Sequence, residues 1–414
     1  TTANENANAS GDWDITSNLT IIGAGAATTI VRAAADPNTA SDRVLHVVSG
    51  TVELRDMTIA NGKFGFFTVT SDGGGINNGG NLTLTNITVS DNAVRAVGGT
   101  VSGANRGGGI YNSGTLTLTN STLSGNSVSV NSTNNYGGGL FNDGGTVTIT
   151  GSTLTGNSVN ASGTSINEGG GIYNDGNGMI TITSSTLSSN TVSGGVATNG
   201  GGILNQSGTV KLINSTLSGN SVGGSASFIA GGGILNSATL TLTGSTLTNN
   251  VVNGGAHSNY AGGIYNSGTA TLINSTLSGN VCDGRNNDGG CFGGALANFG
   301  TALLTNCTLA ANAARNVYDT RGGGVYAEYG DLQPRNTIIA GNSANWGRDI
   351  RGNFNSLGNN LVGLKEDING FVSSDLVDVN ALLGSLASNG GQTQTMALLP
   401  GSPAIDAGND CVLN

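Results

Sequence analysis

The chain has 414 residues, 72 of them glycine, only 9% charged, and a formal net charge of −10. Average globular proteins carry roughly 25% charged residues; here Thr, Ser and Asn serve as the surface polar groups. Three lysines and eleven arginines offer no patch dense enough for a phosphate backbone, so nucleic acid is excluded as a partner.

The chain opens with TTANENANAS, which reads as a mature or trimmed product without a signal peptide. Two stretches follow, LTIIGAGAATTIV (19–31) and RVLHVVSGTVELRDMTIANG (43–62), with the look of irregular coils. GAGAAT has the glycines of a dinucleotide loop, but no helical pattern follows it. His46 lies within an apolar strand pattern and reads as a satisfied, partly buried histidine.

From residue 63 the sequence repeats. Glycine triplets start at Gly73, Gly107, Gly137, Gly169, Gly200 and Gly231, degenerate at Ala261 and Gly293, and recur at Gly322. A period near 30 residues signals a solenoid. Within each repeat, TLTLT-like runs alternate apolar and polar residues, as Leu116 and Leu118 do against Thr115, Thr117 and Thr119. That is the period of a half-buried strand. Two further short strands per repeat are predicted, around GGIYN and STLSGN. One coil cannot bury its own apolar residues, so coils must stack at about 4.8 Å with parallel ladders. The expected fold is all-β: a right-handed, single-stranded parallel β-helix of 11–12 coils. Its expected divisions are irregular coils over 1–62, regular repeats over 63–363 and a capping or wrapping segment over 364–414.

Asparagine recurs in two register positions. One holds Asn92, Asn126, Asn157, Asn190, Asn220, Asn250, Asn280, Asn312 and Asn342. The other holds Asn78, Asn112, Asn142, Asn174, Asn205, Asn236, Asn266 and Asn298. Stacked, they should form structural amide ladders. The 8–12 residues that close each repeat vary and should form a ridge of loops, the usual place for function.

Cys282 and Cys291 bracket CDGRNNDGGC, and a disulfide across that loop fits an oxidising, extracellular or cell-surface setting. Zinc is the rival reading, with His257 as the only histidine nearby. Cys307 and Cys411 are available to each other, the alternative being a partner for Cys411 beyond this chain. No catalytic residue and no metal site is expected. The densest charged cluster, Asp283, Arg285, Asp288, Asp319, Arg321 and Glu328, reads first as a solvated, ion-paired surface. Asp143, Glu168 and Asp175 fall on successive coils, but Asp143 and Asp175 read as turn residues. No cofactor is expected; Ca²⁺ in the Asp/Asn-rich loops is the one alternative, without an EF-hand pattern. No apolar stretch reaches the 18 residues of a membrane span.

SGDWDITSNLTIIGAGAATTIV (10–31), NTIIAGNSA (336–344) and NGGQTQTMALLPGSPAIDAGND (389–410) resemble bacterial surface-exported β-helix proteins. That family carries an N-terminal CSLREA motif, absent here, and a C-terminal choice-of-anchor Q segment. The resemblance implies a secreted or surface-attached right-handed β-helix with no catalytic residues to carry over. The preferred expectation is a non-enzymatic rod, serving as spacer, adhesin or filament subunit that associates end to end. A polysaccharide-binding or polysaccharide-cleaving β-helix is the alternative. Ice binding by the rows Thr83/Thr85, Thr117/Thr119, Thr148/Thr150, Thr181/Thr183 and Thr241/Thr243 is a minor one, since Lys211, Ile213, Ile273 and Leu303 break the grid.

Overall fold

The computed structural model describes residues 11–36, 39–65, 70–95, 103–131, 134–254, 258–284, 289–316 and 318–409. The chain divides into two compact units, Thr1–Val210 and Lys211–Asn414. The described residues form an all-β parallel solenoid of about ten turns, with about 31 residues per turn. This is slightly fewer than the eleven to twelve coils expected, because the coils at either end carry only some of their strands.

In the first unit, the coil Ile110–Tyr136 shows the pattern. Its strands are Ile110–Asn112, Thr115–Thr119, Thr122–Ser124, Ser127–Val128 and Asn134–Tyr136. Five strands replace the three read from the sequence. The two missed ones are too short for an alternation signal; Ser127–Val128 closes the repeated core, and Asn134–Tyr136 lies in the segment taken for variable loop. Each strand pairs in parallel with its equivalents one coil before and after: Leu116 with Leu82 and Val147, Leu123 with Val89 and Leu154. Complete five-strand coils of this unit begin at Leu45, Ile76, Ile110, Leu140 and Ile172.

The second unit repeats the plan in coils beginning at Ile234, Ile264 and Leu296. In both units the inward Leu, Ile and Val of the regular coils, such as Leu116, Leu118, Leu123, Leu240 and Leu242, point to a dry axis and are fully buried. Each such residue contributes about 1.5–3 kcal/mol by leaving water. Strands two and three are joined by a single left-handed residue, as at Asn86, Asn120 and Asn274, with φ near 50°. The glycine triplet answers to two demands. Gly107 has φ +65°, whereas Gly108 would drive a Cβ to 2.4 Å from the carbonyl oxygens of Gly138 and Ser127.

Past Gly363 the second unit departs from the coil. Leu376–Val377 adds beside Leu361–Val362, and an antiparallel hairpin pairs Leu383–Ala387 with Thr395–Leu398. The hairpin lies along the third strands of earlier coils: Thr393 Oγ1 donates to Gly244 O at 2.8 Å and Thr246 Oγ1 to Gln394 O at 2.6 Å. Ala381, Leu383 and Ala404 pack with Ala340 and Leu361 beneath it.

Candidate functional site: polar ladders, aromatic corners and an ionic first coil

The buried polar residues form the most regular feature of both units. In the first, Asn92 donates its N–H and its Nδ2–H to Asn126 Oδ1, Asn126 does the same to Asn157, and Asn157 to Asn190, all at 2.9–3.1 Å. In the second, the chain runs from Asn220 through Asn250, Asn280 and Asn312 to Asn342. It ends on a carboxylate: Asn342 donates twice to Asp349 Oδ1 at 2.9 Å, and Leu364 N–H to Asp349 Oδ2. Burial raises the Asp349 carboxyl above its ordinary range. The other register makes single bonds, Asn78 to Asn112, Asn142, Asn174 and Asn205 in the first unit, and Asn236 to Asn266 and Asn298 in the second.

A serine ladder was not read from the sequence. Ser121 Oγ accepts from Ile87 N–H and Ser152 Oγ from Ser121 N–H; Ser275 Oγ accepts from Ser245 N–H in the second unit. Cys307 stands next in that row. It is buried and free, accepts from Ser275 N–H, and its Sγ lies 3.3 Å from the carbonyls of Leu272 and Thr305. Cys411 lies outside the described residues. Cys282 and Cys291 are disulfide-bonded, with Cα atoms 5.7 Å apart. Both sulfurs occupy core positions, in register with Val252 and Asn259.

Outward residues meet where strand five turns into strand one. In the first unit Tyr111, Phe141 and Tyr173 stack, with centroids 5.7 and 5.1 Å apart. Tyr136, from strand five, reaches Tyr173 at 4.8 Å. Rings on the outer faces of two different sheets touch only if the corner is concave, and the left-handed glycine makes it so. Tyr111 O–H donates to Asp143 at 2.6 Å, and Arg106 pairs with Asp143 at 3.2 Å. Ser207 donates to Asp175, and Asn199 to Glu168. Burial raises Asp72 to about 6 against the pull of Arg106, and raises Glu168 as well. Three ladder steps separate these two carboxyls (Asp72 to Arg106 to Tyr136 to Glu168), roughly 14 Å at strand spacing. A glycosidase pair needs about 5–10 Å.

The second unit has the larger aromatic corner. Tyr260, Tyr265, Phe292, Phe299 and Tyr326 fill it with centroid distances of 5.1–5.9 Å. The expected charged cluster is partly assembled beside it. Arg321 pairs with Asp319 at 3.0 Å and with Glu328 at 3.3 Å, and Arg351 pairs with Glu328 at 3.1 Å. Asp283 belongs elsewhere, on strand four in register with Arg315. Arg285, Asp288 and His257 lie outside the described residues. Burial pulls the Glu328 carboxyl up, but hydrogen bonds from Tyr326 and Arg351 and the two guanidinium charges outweigh it and hold it low. Glu328 is therefore a fixed anion at neutral pH and cannot serve as a proton donor. Beside it stand two rings that the sequence reading passed over: Tyr329 and Trp346, 72% and 59% exposed. Trp346 is bridged to Arg321, and Tyr329 stacks on Phe299. Only the register of the coils, not any motif, brings these residues together.

The first coil carries a third group. His46 Nδ1 lies 2.8 Å from Asp14 Oδ1, so the histidine is satisfied, though on the outer side of its strand. Arg43 is buried over the Phe64 ring at 3.8 Å and lies 3.2 Å from Asp12 Oδ2. Burial raises Asp12 to about 6, and burial together with Arg43 lowers His46.

No family model, curated protein or solved structure matches the chain. Its place among parallel β-solenoids rests on its own ladders. In the first unit Thr83, Thr117, Thr148 and Thr181 stand in register, half-buried, on the outer face of strand two. No helix among the described residues is long and apolar enough to cross a membrane.

Proposed function

We propose that the protein is a non-catalytic extracellular structural protein, a β-solenoid serving as surface spacer, adhesin or head-to-tail filament subunit. The observation that carries this reading is the run of buried Asn and Ser ladders within each unit, which tie successive coils together by side-chain hydrogen bonds. Such networks add stiffness and register, and no chemistry uses them. The core disulfide favours an oxidising compartment. The C-terminal residues that resemble choice-of-anchor Q proteins favour attachment at a bacterial surface.

Head-to-tail association is supported by the first coil. Leu19 pairs on one side with Val52, which is fully buried, yet Leu19 itself is 37% exposed. An apolar ladder edge of that kind templates another chain, and the low charge of the coils opposes it little. Electron microscopy of the purified protein over a range of concentration and salt tests the assembly. Filaments lengthening with concentration are expected; monodisperse particles under every condition would refute it.

Polysaccharide binding is the second reading, favoured by the two exposed rings, Tyr329 and Trp346, beside Arg321, Glu328 and Arg351. Aromatic faces beside fixed charges suit sugar rings and uronates. Affinity electrophoresis in gels containing neutral or acidic polysaccharides should retard the protein, and Trp346→Ala with Tyr329→Ala should abolish the retardation. Equal mobility in every gel, or retardation that survives the double substitution, would refute it.

A further inference from the structure

We infer that Asp12, Asp14 and His46 form a binding site for one first-row divalent cation, zinc being the best match. One ligand atom from each residue lies within 4.8 Å of the other two. They converge for a structural reason. Asp12 and Asp14 flank Trp13 at the start of the strand Trp13–Ile15, and Asp14 is the ladder partner of His46 in the next coil. Parallel register stacks the carboxylate directly against the imidazole.

Two observations are in keeping with a cation. The Asp12 side chain is almost wholly buried, and its ion pair with Arg43 engages Oδ2 and leaves Oδ1 without a hydrogen bond among the described residues. The 2.8 Å between His46 Nδ1 and Asp14 Oδ1 is close to the separation of two adjacent ligands on one ion at bond lengths of about 2.0–2.2 Å.

The donor set selects the metal. Two carboxylates and an imidazole suit zinc, whereas calcium takes six to eight oxygens. Binding at Nδ1 would shift the proton of the neutral imidazole to Nε2 with no net release, and would tie the first coil to the second.

The chain has two tryptophans, and one of them, Trp13, lies between the two aspartates. Trp346→Phe makes Trp13 the sole emitter. Titrating that full-length protein with Zn²⁺, and separately with Ca²⁺, after removal of metal by chelator, should change Trp13 emission with saturation at one equivalent of Zn²⁺ only. Elemental analysis after dialysis should find one zinc per chain. Asp14→Asn and His46→Gln should each weaken binding at least tenfold. His46, at the half-buried edge, serves as the variant that folds if Asp14→Asn does not. Absence of stoichiometric zinc in the unsubstituted protein, or undiminished binding by His46→Gln, would overturn the assignment; tighter binding of Ca²⁺ than Zn²⁺ would overturn the choice of metal and with it the role of His46.

Discussion

Cys307 shows how a single side chain takes its meaning from its row. As a thiol in the sequence it invites a search for a disulfide partner. In the fold it replaces the serine of the ladder, accepting one N–H and facing two carbonyls. Burial pushes its pKa up to about 12, so almost no thiolate exists at pH 8. Iodoacetamide should leave the Cys307 peptide unmodified in the native protein and alkylate it in denaturant, read by peptide mass. Cys307→Ser should change stability by less than about 1 kcal/mol. Cys307→Val should cost about 1–3 kcal/mol, because Ser275 N–H loses its acceptor. Asp72 supplies a pH dependence at the same scale. Burial raises it from 3.8 to about 6 in the folded state, so the native protein keeps a proton that the unfolded chain has released. Its stabilising effect is present below pH 3.8 and is lost as pH rises through about 6. Thermal denaturation should show a midpoint that declines between pH 4 and 7, with a shallower decline in Asp72→Asn; equal slopes would contradict the burial argument.

Strands of two to five residues cannot hold themselves together, and the coil works because each element repeats its neighbour's choice. Strand two was legible from its strict alternation, and the Asn positions from their constant spacing. Strands four and five were not, because two or three residues carry no period; strand four repeats an inward Val at Val94, Val128, Val159, Val192, Val222 and Val252, but strand five varies from coil to coil. The disulfide belongs to this pair of elements. Cys282 ends the inward run of strand four and Cys291 begins that of strand five, so the bond spans their connection through the core rather than over the surface. Closing a loop with a sequence separation of 9 contributes roughly 2–3 kcal/mol. Cys282→Ser with Cys291→Ser should lower the unfolding free energy by at least that amount. Cys282→Val with Cys291→Asn, which restores the residues found one coil earlier, should recover part of it, as read by denaturant titration.

At the scale of the whole molecule, residues 381–409 decide how the second unit meets solvent. They do not continue the coil but fold back along it, and the outer positions of strand three that are half-exposed in the first unit, such as Thr122, are buried at Thr246 and Thr276. Ending the chain at Asn380 should uncover Ala310, Ala340 and Leu361. The expected result is a lower melting midpoint and a gain in binding of an apolar dye; an unchanged midpoint would mean that the hairpin is not part of the folded unit.

The sequence by itself determined the parallel solenoid, its period and the residues of its dry axis, because stacking copies each coil's pattern onto the next and a copied pattern is visible in one dimension. It also marked both asparagine rows, although their polarity of donation and their end at Asp349 came only with coordinates. What the tertiary structure alone decided is everything that depends on which outer faces meet. The concave corner gathered Arg321, Glu328, Tyr329, Trp346 and Arg351, and the first ladder step set Asp14 against His46. Those residues share no spacing, since a corner joins strands of different sheets, and only the backbone turn at the glycine triplet brings their side chains within reach.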